Sequence, residues 1–380
     1  MPCRNWFIKT SWALAPGGVF IFTTGFRGQG PGSGGIVPGK VFRVGVVGAS
    51  SLAGKELADV LGESSLAADL VLLDQEEVAG QMTVAGDEPA FIQKLGPESF
   101  PGMDFVFFTG APEMTRRYWK SARKAGASIV DMTYALEGEA GVLVRGPWAA
   151  VDASGGDVDL GGLDLTTPAV VAAHPAAVML ALGAGRVDAA LGLRTLAATV
   201  FEPASEHGQA AMDELHQQTV SLLSFQTVPR DQFDAQVAFN LVPGLGDAAK
   251  VKLEAVRDRI ARHYALLVGG RLPGLALQVV QAPVFHGYVI SVLVELKEPS
   301  SAGQVEAALF GEHVDVVTGE SDAPSNLSAA GQGDVLVRVT EADETRLWVW
   351  MAADNLKLAA LNAAECANEL RRLRPLGPVQ

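Results

Sequence analysis

Between Val41 and Glu77 the sequence VFRVGVVGASSLAGKELADVLGESSLAADLVLLDQEE holds residues suited to gripping a phosphate chain. A short apolar strand, a tight glycine turn and a helix N-terminus would turn backbone N–H groups and the positive end of a helix dipole toward a pyrophosphate. Gly45, Gly48 and Gly54 stand at the glycine positions of a dinucleotide fingerprint, whereas Ser50 or Ser51 takes the central one and Leu52 and Ala53 open the helix. A serine there can donate a hydrogen bond, but its side chain hinders close backbone approach. At the end of the second strand Asp74 falls where a carboxylate bonds ribose hydroxyls, with Glu76 and Glu77 beside it. Three carboxylates repel a 2′-phosphate, so NAD is favoured over NADP for any dinucleotide bound. A structural strand–helix turn and a solvated acidic turn account for the same residues equally well.

The other reactive side chains are sparse. Two cysteines, Cys3 and Cys366, exclude a disulfide scaffold and a cysteine zinc site. The six histidines, at 174, 207, 216, 263, 286 and 313, never stand at short metal spacing with a second firm ligand.

The elements that must position these groups follow from periodicity. DLVLLD, DFVFFTG and ASIVDM are apolar runs of strand length, and EMTRRYWKSARKAG between the last two reads as a helix closed by Gly126. Strands apolar on both faces, alternating with helices, predict a doubly wound parallel sheet of the Rossmann type. The pattern changes after about Thr167. RTLAATVFEPAS predicts a strand leading into the helix GQAAMDELHQQTVSLLS, and AAKVKLEAVRDRIARHYALL a second amphipathic helix. ALQVVQAPVFHGYVISVLVELKEP gives two long strands around Pro283 and Gly287, so the second half predicts a mixed or antiparallel sheet packed on helices. LWVWMAADNLKLAALNAAECANELRRL is a strand and a long Ala/Leu-rich helix.

Composition bounds the rest. The chain has 380 residues, 48% of them hydrophobic and 19% charged, which is material for two domains and not for a disordered chain. Acidic residues outnumber basic ones 43 to 29, a formal charge of −14 that argues against a nucleic-acid partner. The N-terminal run WALAPGGVFIFTTGF is broken by Pro16, Gly17 and Gly18, and GQGPGSGGIVPGK reads as a tether. Residues 1–40 are therefore expected to be a flexible extension, with no membrane span and a cytoplasmic location.

The segments VGVVGASSLAGKEL, FVFFTGAPEM, SIVDMTYAL, VFEPASEHGQAAMDELHQQT, APVFHGY and WVWMAADNLKLAALNA occur in the order seen in aspartate-semialdehyde dehydrogenases. The chain resembles that family from about Val41 to Leu373. The resemblance implies a Rossmann-type NAD(P)-binding domain over 41–167 and 350–380. It also implies an α+β, glyceraldehyde-3-phosphate-dehydrogenase-like dimerisation domain over 168–349, and a homodimer.

In the family a cysteine thiolate attacks an aldehyde carbonyl, hydride leaves to the nicotinamide, and phosphate cleaves the thioester. The resemblance puts Ala173 and His174 at the Asn and Cys positions of that motif. It puts Glu202 at the catalytic glutamine, Tyr288 at the base histidine and Gln281 at the arginine that clamps the substrate carboxylate. Asp74, Gln75 and Glu76 replace the Ser-Arg motif of the NADP-using forms, and Met132 replaces an asparagine. Glu254, Arg257 and Arg262 fall where the family holds substrate, and Asp354, Asn355, Lys357 and Asn362 near the nicotinamide; a solvated charge pair and helix capping explain both groups as well.

His286 and Tyr288 reverse the family's order, and i, i+2 residues of a strand share a face. An imidazole at His286 could thus join His174 and Glu202 in acid–base work, although structural histidines fit the same pattern. The leading expectation is a family homologue without thiol-dependent activity that binds a nucleotide or a partner. The rivals are an active NAD(P)-dependent aspartate-semialdehyde dehydrogenase and a non-thiol enzyme using His174, Glu202 and His286.

Overall fold

The computed structural model describes residues 41–373, apart from 65, 67, 86–87, 151–161 and 320. The extension expected over 1–40, the last seven residues, and Cys3 with them, lie outside the described residues.

The first half builds a parallel sheet. Its elements run β1 (Phe42–Val47), α1 (Leu52–Glu63), β2 (Ala68–Asp74), the hairpin β3 (Met82–Ala85) and β4 (Glu88–Phe91), β5 (Gln93–Lys94), β6 (Phe105–Phe108), α2 (Pro112–Lys124), β7 (Ser128–Asp131), β8 (Leu143–Arg145) and β9 (Val170–Ala172). Seven strands lie in the order β5-β2-β1-β6-β7-β9-β8, every pair parallel. Strand alternation divides the core. Val44, Val46, Phe105 and Phe107 face α1, whereas Val47, Val106 and Phe108 face Trp119 and Ala122 of α2. A parallel strand buried on both faces reads as an unbroken apolar run, as FVFF does.

The second half begins with α3 (Pro175–Leu191) and continues through β10 (Leu193–Glu202), α4 (Gln209–Leu223), α5 (Leu253–Val268), β11 (Leu275–Gln281), β12 (Tyr288–Leu296), α6 (Ala302–Leu309), β13 (Val314–Val316), α7 (Asn326–Ala329), β14 (Val335–Glu341) and β15 (Arg346–Ala353). The six strands form a mixed sheet in the order β11-β10-β12-β15-β14-β13. One face of β12 is fully buried and the other half-exposed, residue by residue, and Trp348 and Trp350 of β15 stand on the open side.

Two features escape periodicity. Helix α3 buries Ala176, Val178, Met179, Leu180 and Leu182 around its whole circumference, so PAAVMLALGAGRVDAAL has no polar face to reveal a helical period. Each buried Leu, Met or Val there contributes roughly 1.5–3 kcal/mol. Helix α5 starts at Leu253, five residues later than the sequence pattern places it, because the N–H groups of Lys250 and Val251 go to Gln232 O at 2.8 and 3.3 Å.

The last helix, α8 (Asn355–Leu373), returns to the parallel sheet and packs on α1 through Ala360, Ala363, Ala364 and Ala367. A buried two-bond ion pair fastens it: Arg145 Nη2 to Glu369 Oε1 at 2.8 Å and Nε to Oε2 at 3.0 Å.

Candidate functional site

A cavity of about 670 Å³ starts at the β1–α1 turn, passes the C-terminal ends of the parallel strands and ends among residues of α3, α5 and the segment after β10. Clefts at the carboxyl ends of parallel strands are where such sheets bind ligands.

The outer end is the glycine turn. Gly48 has φ +87°, and a Cβ there would fall 2.3 Å from the N and Cα of Gly110, so two backbone segments touch only because both lack side chains. A Cβ on Gly54 would fall 2.3 Å from Gly48 O. Ser51 caps α1: its Oγ accepts from Gly54 N at 3.0 Å and donates to Thr109 O at 3.1 Å. Ser50 N–H is spent on Asp74 Oδ2 at 2.8 Å, and Ser51 N–H on Gly48 O at 3.0 Å. The N–H groups of Leu52 and Ala53 are left facing the cavity with no protein acceptor found among the described residues.

Two expected contacts change here. Gly45 lies inside β1 and off the cavity; a Cβ on it would meet Met103 Sδ at 2.5 Å, so packing alone accounts for the glycine. Asp74 is buried, with Oδ2 on Ser50 N and Oδ1 on Gln75 N at 2.8 Å each, so it shapes the turn before it can meet a ribose. Gln75 and Glu77 line the cavity with it.

The inner end is a set of aromatic and ionisable side chains on short, rigid tethers. His174 is the N-cap of α3, where its Nδ1 accepts from Ala176 N at 3.3 Å. Its proton therefore sits on Nε2, which stands 3.3 Å from Glu206 Oε1. Asn355, at the head of α8, is oriented just as firmly. Its Oδ1 accepts from Ser205 Oγ at 3.1 Å and Gly287 N at 3.0 Å, leaving Nδ2 to donate to Glu206 Oε2 at 3.3 Å. The Tyr288 hydroxyl is buried near the same carboxyl without a hydrogen bond to it. Burial raises the Glu206 pKa, while Tyr288, Asn355 and Arg259 pull the other way. Burial also drops the His174 imidazole well below its ordinary range, so the ring is neutral.

Behind this layer, Glu202 is fully buried with Oε1 3.3 Å from His207 Nε2. Burial lifts the Glu202 carboxyl well above its usual value and pulls His207 down to about 4. On the far side Glu137 gathers three partners: Arg259 Nε at 2.8 Å, His263 Nε2 at 3.0 Å, and Arg262. Burial pushes Glu137 up, but His263 and Arg259 outweigh it and hold the carboxyl at about 2. His263 Nδ1 accepts from His174 N at 2.9 Å, and Tyr134 is sandwiched between His174, at 5.7 Å between ring centroids, and Arg259, 4.6 Å from its ring centre.

Of the residues expected to act, His174 and Asn355 line this end, while Glu202 and Tyr288 back it. His286 does not join them. It sits on the bend before Gly287, at φ +87°, and β12 begins only at Tyr288, so strand parity does not carry the imidazole inward. Gln281 is buried and bonded through Nε2 to Glu202 O at 2.9 Å, which makes it a strut of the same floor. Glu254 and Arg257 point to solvent, the latter paired with Asp258; Val256 and Arg259 are the α5 residues on the cavity. Glu206 and His207 went unread because their contacts come from Asn355 and Glu202, one distant in sequence and one on the adjoining strand. Cys366 is buried in α8 with Sγ 3.7 Å from Arg145 O, off the cavity, its thiol pKa raised far up by burial. No three His, Cys, Asp or Glu side chains among the described residues are arranged to hold a metal ion.

Two domain profiles match the chain: "Semialdehyde dehydrogenase, NAD binding domain" over residues 43–170 and "Semialdehyde dehydrogenase, dimerisation domain" over residues 186–358. A USG-1 protein homolog of Pseudomonas aeruginosa is 31% identical, covering 84% of this chain and 95% of that one. The aspartate-semialdehyde dehydrogenase of Rickettsia bellii is 25% identical, over 87% and 98% of the two chains. Among solved structures, a probable aspartate-semialdehyde dehydrogenase from Pseudomonas aeruginosa aligns with a TM-score of 0.76 at 29% identity, over 88% of this chain and 99% of that one.

Proposed function

Because the chain belongs to the semialdehyde dehydrogenase family, with both its NAD-binding and its dimerisation domain, we propose a nicotinamide-dinucleotide-binding homodimer that does not run the family's thiol chemistry. The observation that carries this reading is the cavity itself. It is continuous from a glycine turn with two unclaimed N–H groups to a floor where His174 opens α3, and no cysteine is among its lining in the described residues.

The residues fit a dinucleotide. The N–H groups of Leu52 and Ala53 would hold the pyrophosphate at the α1 N-terminus, the Gly48–Gly110 contact admits its backbone approach, and Asp74 fixes the turn through Ser50. Gln75 and Glu77 would hold the adenosine ribose, and the carboxylates of Asp74, Glu76 and Glu77 would favour NAD over NADP. The dinucleotide supplies a hydride acceptor. The protein supplies a floor of neutral imidazoles and buried carboxyls, suited to holding or moving a proton but not to forming a thioester.

Dimerisation is assigned to the open face of the mixed sheet. Phe201 packs against Trp350 at 6.2 Å there, beside Trp348, Leu293 and Val289 on neighbouring strands. An aromatic row of this kind on a sheet face is what a partner subunit covers.

The test joins binding to turnover. NAD and NADP are titrated against the full chain by calorimetry, and phosphate-dependent NAD(P) reduction with aspartate semialdehyde is compared with a C3S/C366A variant. The reading expects NAD to bind more tightly than NADP and no turnover above that control. Turnover abolished by removing the cysteines would refute the loss of thiol chemistry; absence of nucleotide binding would refute the cofactor assignment.

A further inference from the structure

We propose that the inner end of the cavity is a cation subsite, with Glu206 as the carboxylate that receives a positively charged nitrogen of the ligand. The inference deepens the reading above by naming the chemistry of what the cavity takes. It rests on the cavity being a ligand site and not on the dinucleotide itself.

Every group whose direction is fixed around Glu206 presents a donor to it. His174 has its Nδ1 committed to Ala176 N, so Nε2–H is what faces Oε1 at 3.3 Å. Asn355 has its Oδ1 committed to Ser205 and Gly287, so Nδ2–H is what faces Oε2 at 3.3 Å. The Tyr288 hydroxyl is buried nearby, uncharged and without a hydrogen-bond partner among the described residues. A site that offers donors on both oxygens is built for the ionised carboxylate and not for the acid. Yet these neighbours are uncharged, and the surrounding guanidinium groups are committed elsewhere: Arg259 and Arg262 converge with His263 on Glu137. Arg259 lines the same cavity and acts on Glu206 from a distance, with its guanidinium on Glu137 and over Tyr134. The remaining titratable groups at this end, Glu202 and His207, form a buried pair that brings no positive charge, because His207 is neutral above about pH 4.

Glu206 is thus a carboxylate with a side-chain exposure of only 13%, opening on a ligand cavity and lacking a positive partner in contact. Burying such a charge is costly unless it is paired, and the missing partner must come from the ligand. Two sources share this chemistry. One is the oxidised nicotinamide ring, cationic where the reduced ring is neutral; the other is the ammonium group of a small amine.

The experiment separates them with the full chain and Glu206→Gln, a near-isosteric change that removes the charge and keeps one of the two acceptor oxygens. Kd is measured for NAD⁺ against NADH, and for L-2-aminobutyrate against 2-hydroxybutyrate, which share a skeleton and differ in the ammonium. Wild type should prefer the cationic member of one pair by about tenfold or more, and Glu206→Gln should bring that ratio to near one while leaving the neutral member's Kd unchanged. A change confined to the NAD⁺/NADH ratio assigns the subsite to the nicotinamide; a change confined to the amine pair assigns it to a small ligand. Wild type with no preference in either pair overturns the proposal, as does a preference that survives Glu206→Gln. Should that variant fail to fold, Glu206→Ala answers the same question. Failure of both nucleotides to bind refutes the cofactor assignment alone, and the amine pair then decides the subsite.

Discussion

Replacing Glu137 by Gln removes the charge on which Arg259, Arg262 and His263 converge, and the structure fixes the size of the effect. The carboxyl is held at about 2 against an ordinary 4.5, a difference of roughly 2.5 units. At about 1.36 kcal/mol per unit this corresponds to about 3.4 kcal/mol of favourable interaction for the ionised form. Arg262 is half-exposed, so solvent screening reduces the expected loss to about 2 kcal/mol at pH 7. The pH dependence has a definite sign. A carboxyl whose folded pKa is depressed stabilises the fold above its unfolded value of about 4.5, and that contribution disappears as pH falls toward 2. Urea unfolding of wild type and Glu137→Gln at pH 7, 4 and 3.5 measures this directly, and the gap should narrow by about 1 kcal/mol between the first and last. A gap below about 0.5 kcal/mol at pH 7, or one that does not change with pH, would refute the account of Glu137 as the charge that organises α5 against the loop after β7.

Gly48→Ala should cost dinucleotide affinity at least tenfold and lower Tm by several degrees, because a Cβ there meets Gly110 and the φ of +87° is strained for any L-residue; calorimetry with NAD and a thermal melt report each. His207 is neutral in the fold down to about 4 but takes a proton near 6.5 when unfolded, so stability should fall as pH drops from about 6.5 to 4. His207→Gln should flatten that part of the stability–pH profile in urea titrations. Trp350→Glu on the open sheet face should shift the mass measured by light scattering from dimer to monomer while leaving the far-UV spectrum unchanged.

The parallel sheet was legible because strands buried on both faces leave apolar runs such as FVFF and VLLD, and because Gly48, Gly126 and Ser51 punctuate them with turn and cap chemistry. Helix α3 was not legible, since a helix enclosed on all sides shows no period. The site was legible only at its two ends. His174 and Asn355 came from family resemblance, and the turn from glycine spacing. Parity misplaced His286 because Gly287 breaks the strand between it and Tyr288, and family resemblance directed attention to Glu254 and Arg257, which lie on the solvent side of α5 as a solvated charge pair would. Glu206 gave no local signal at all. Its meaning depends on Asn355, 149 positions away in the chain, and on the tautomer that the α3 N-terminus imposes on His174.

The return of α8 to the parallel sheet has a consequence for how the protein comes into being. Asn355, Leu356 and Ala359 close one side of the cavity, and Glu369 locks onto Arg145 from more than two hundred residues further along. Until α8 has been synthesised, the nascent chain carries the glycine turn but no wall opposite it, and Glu206 lacks the amide that donates to Oε2. Ligand recognition therefore appears only once α8 has been synthesised and has docked. A transcript cut short before α8 yields a chain that displays a nucleotide-binding sequence without a binding site, and that leaves the apolar face of α1 that α8 covers bare for the quality-control machinery of the cell to detect.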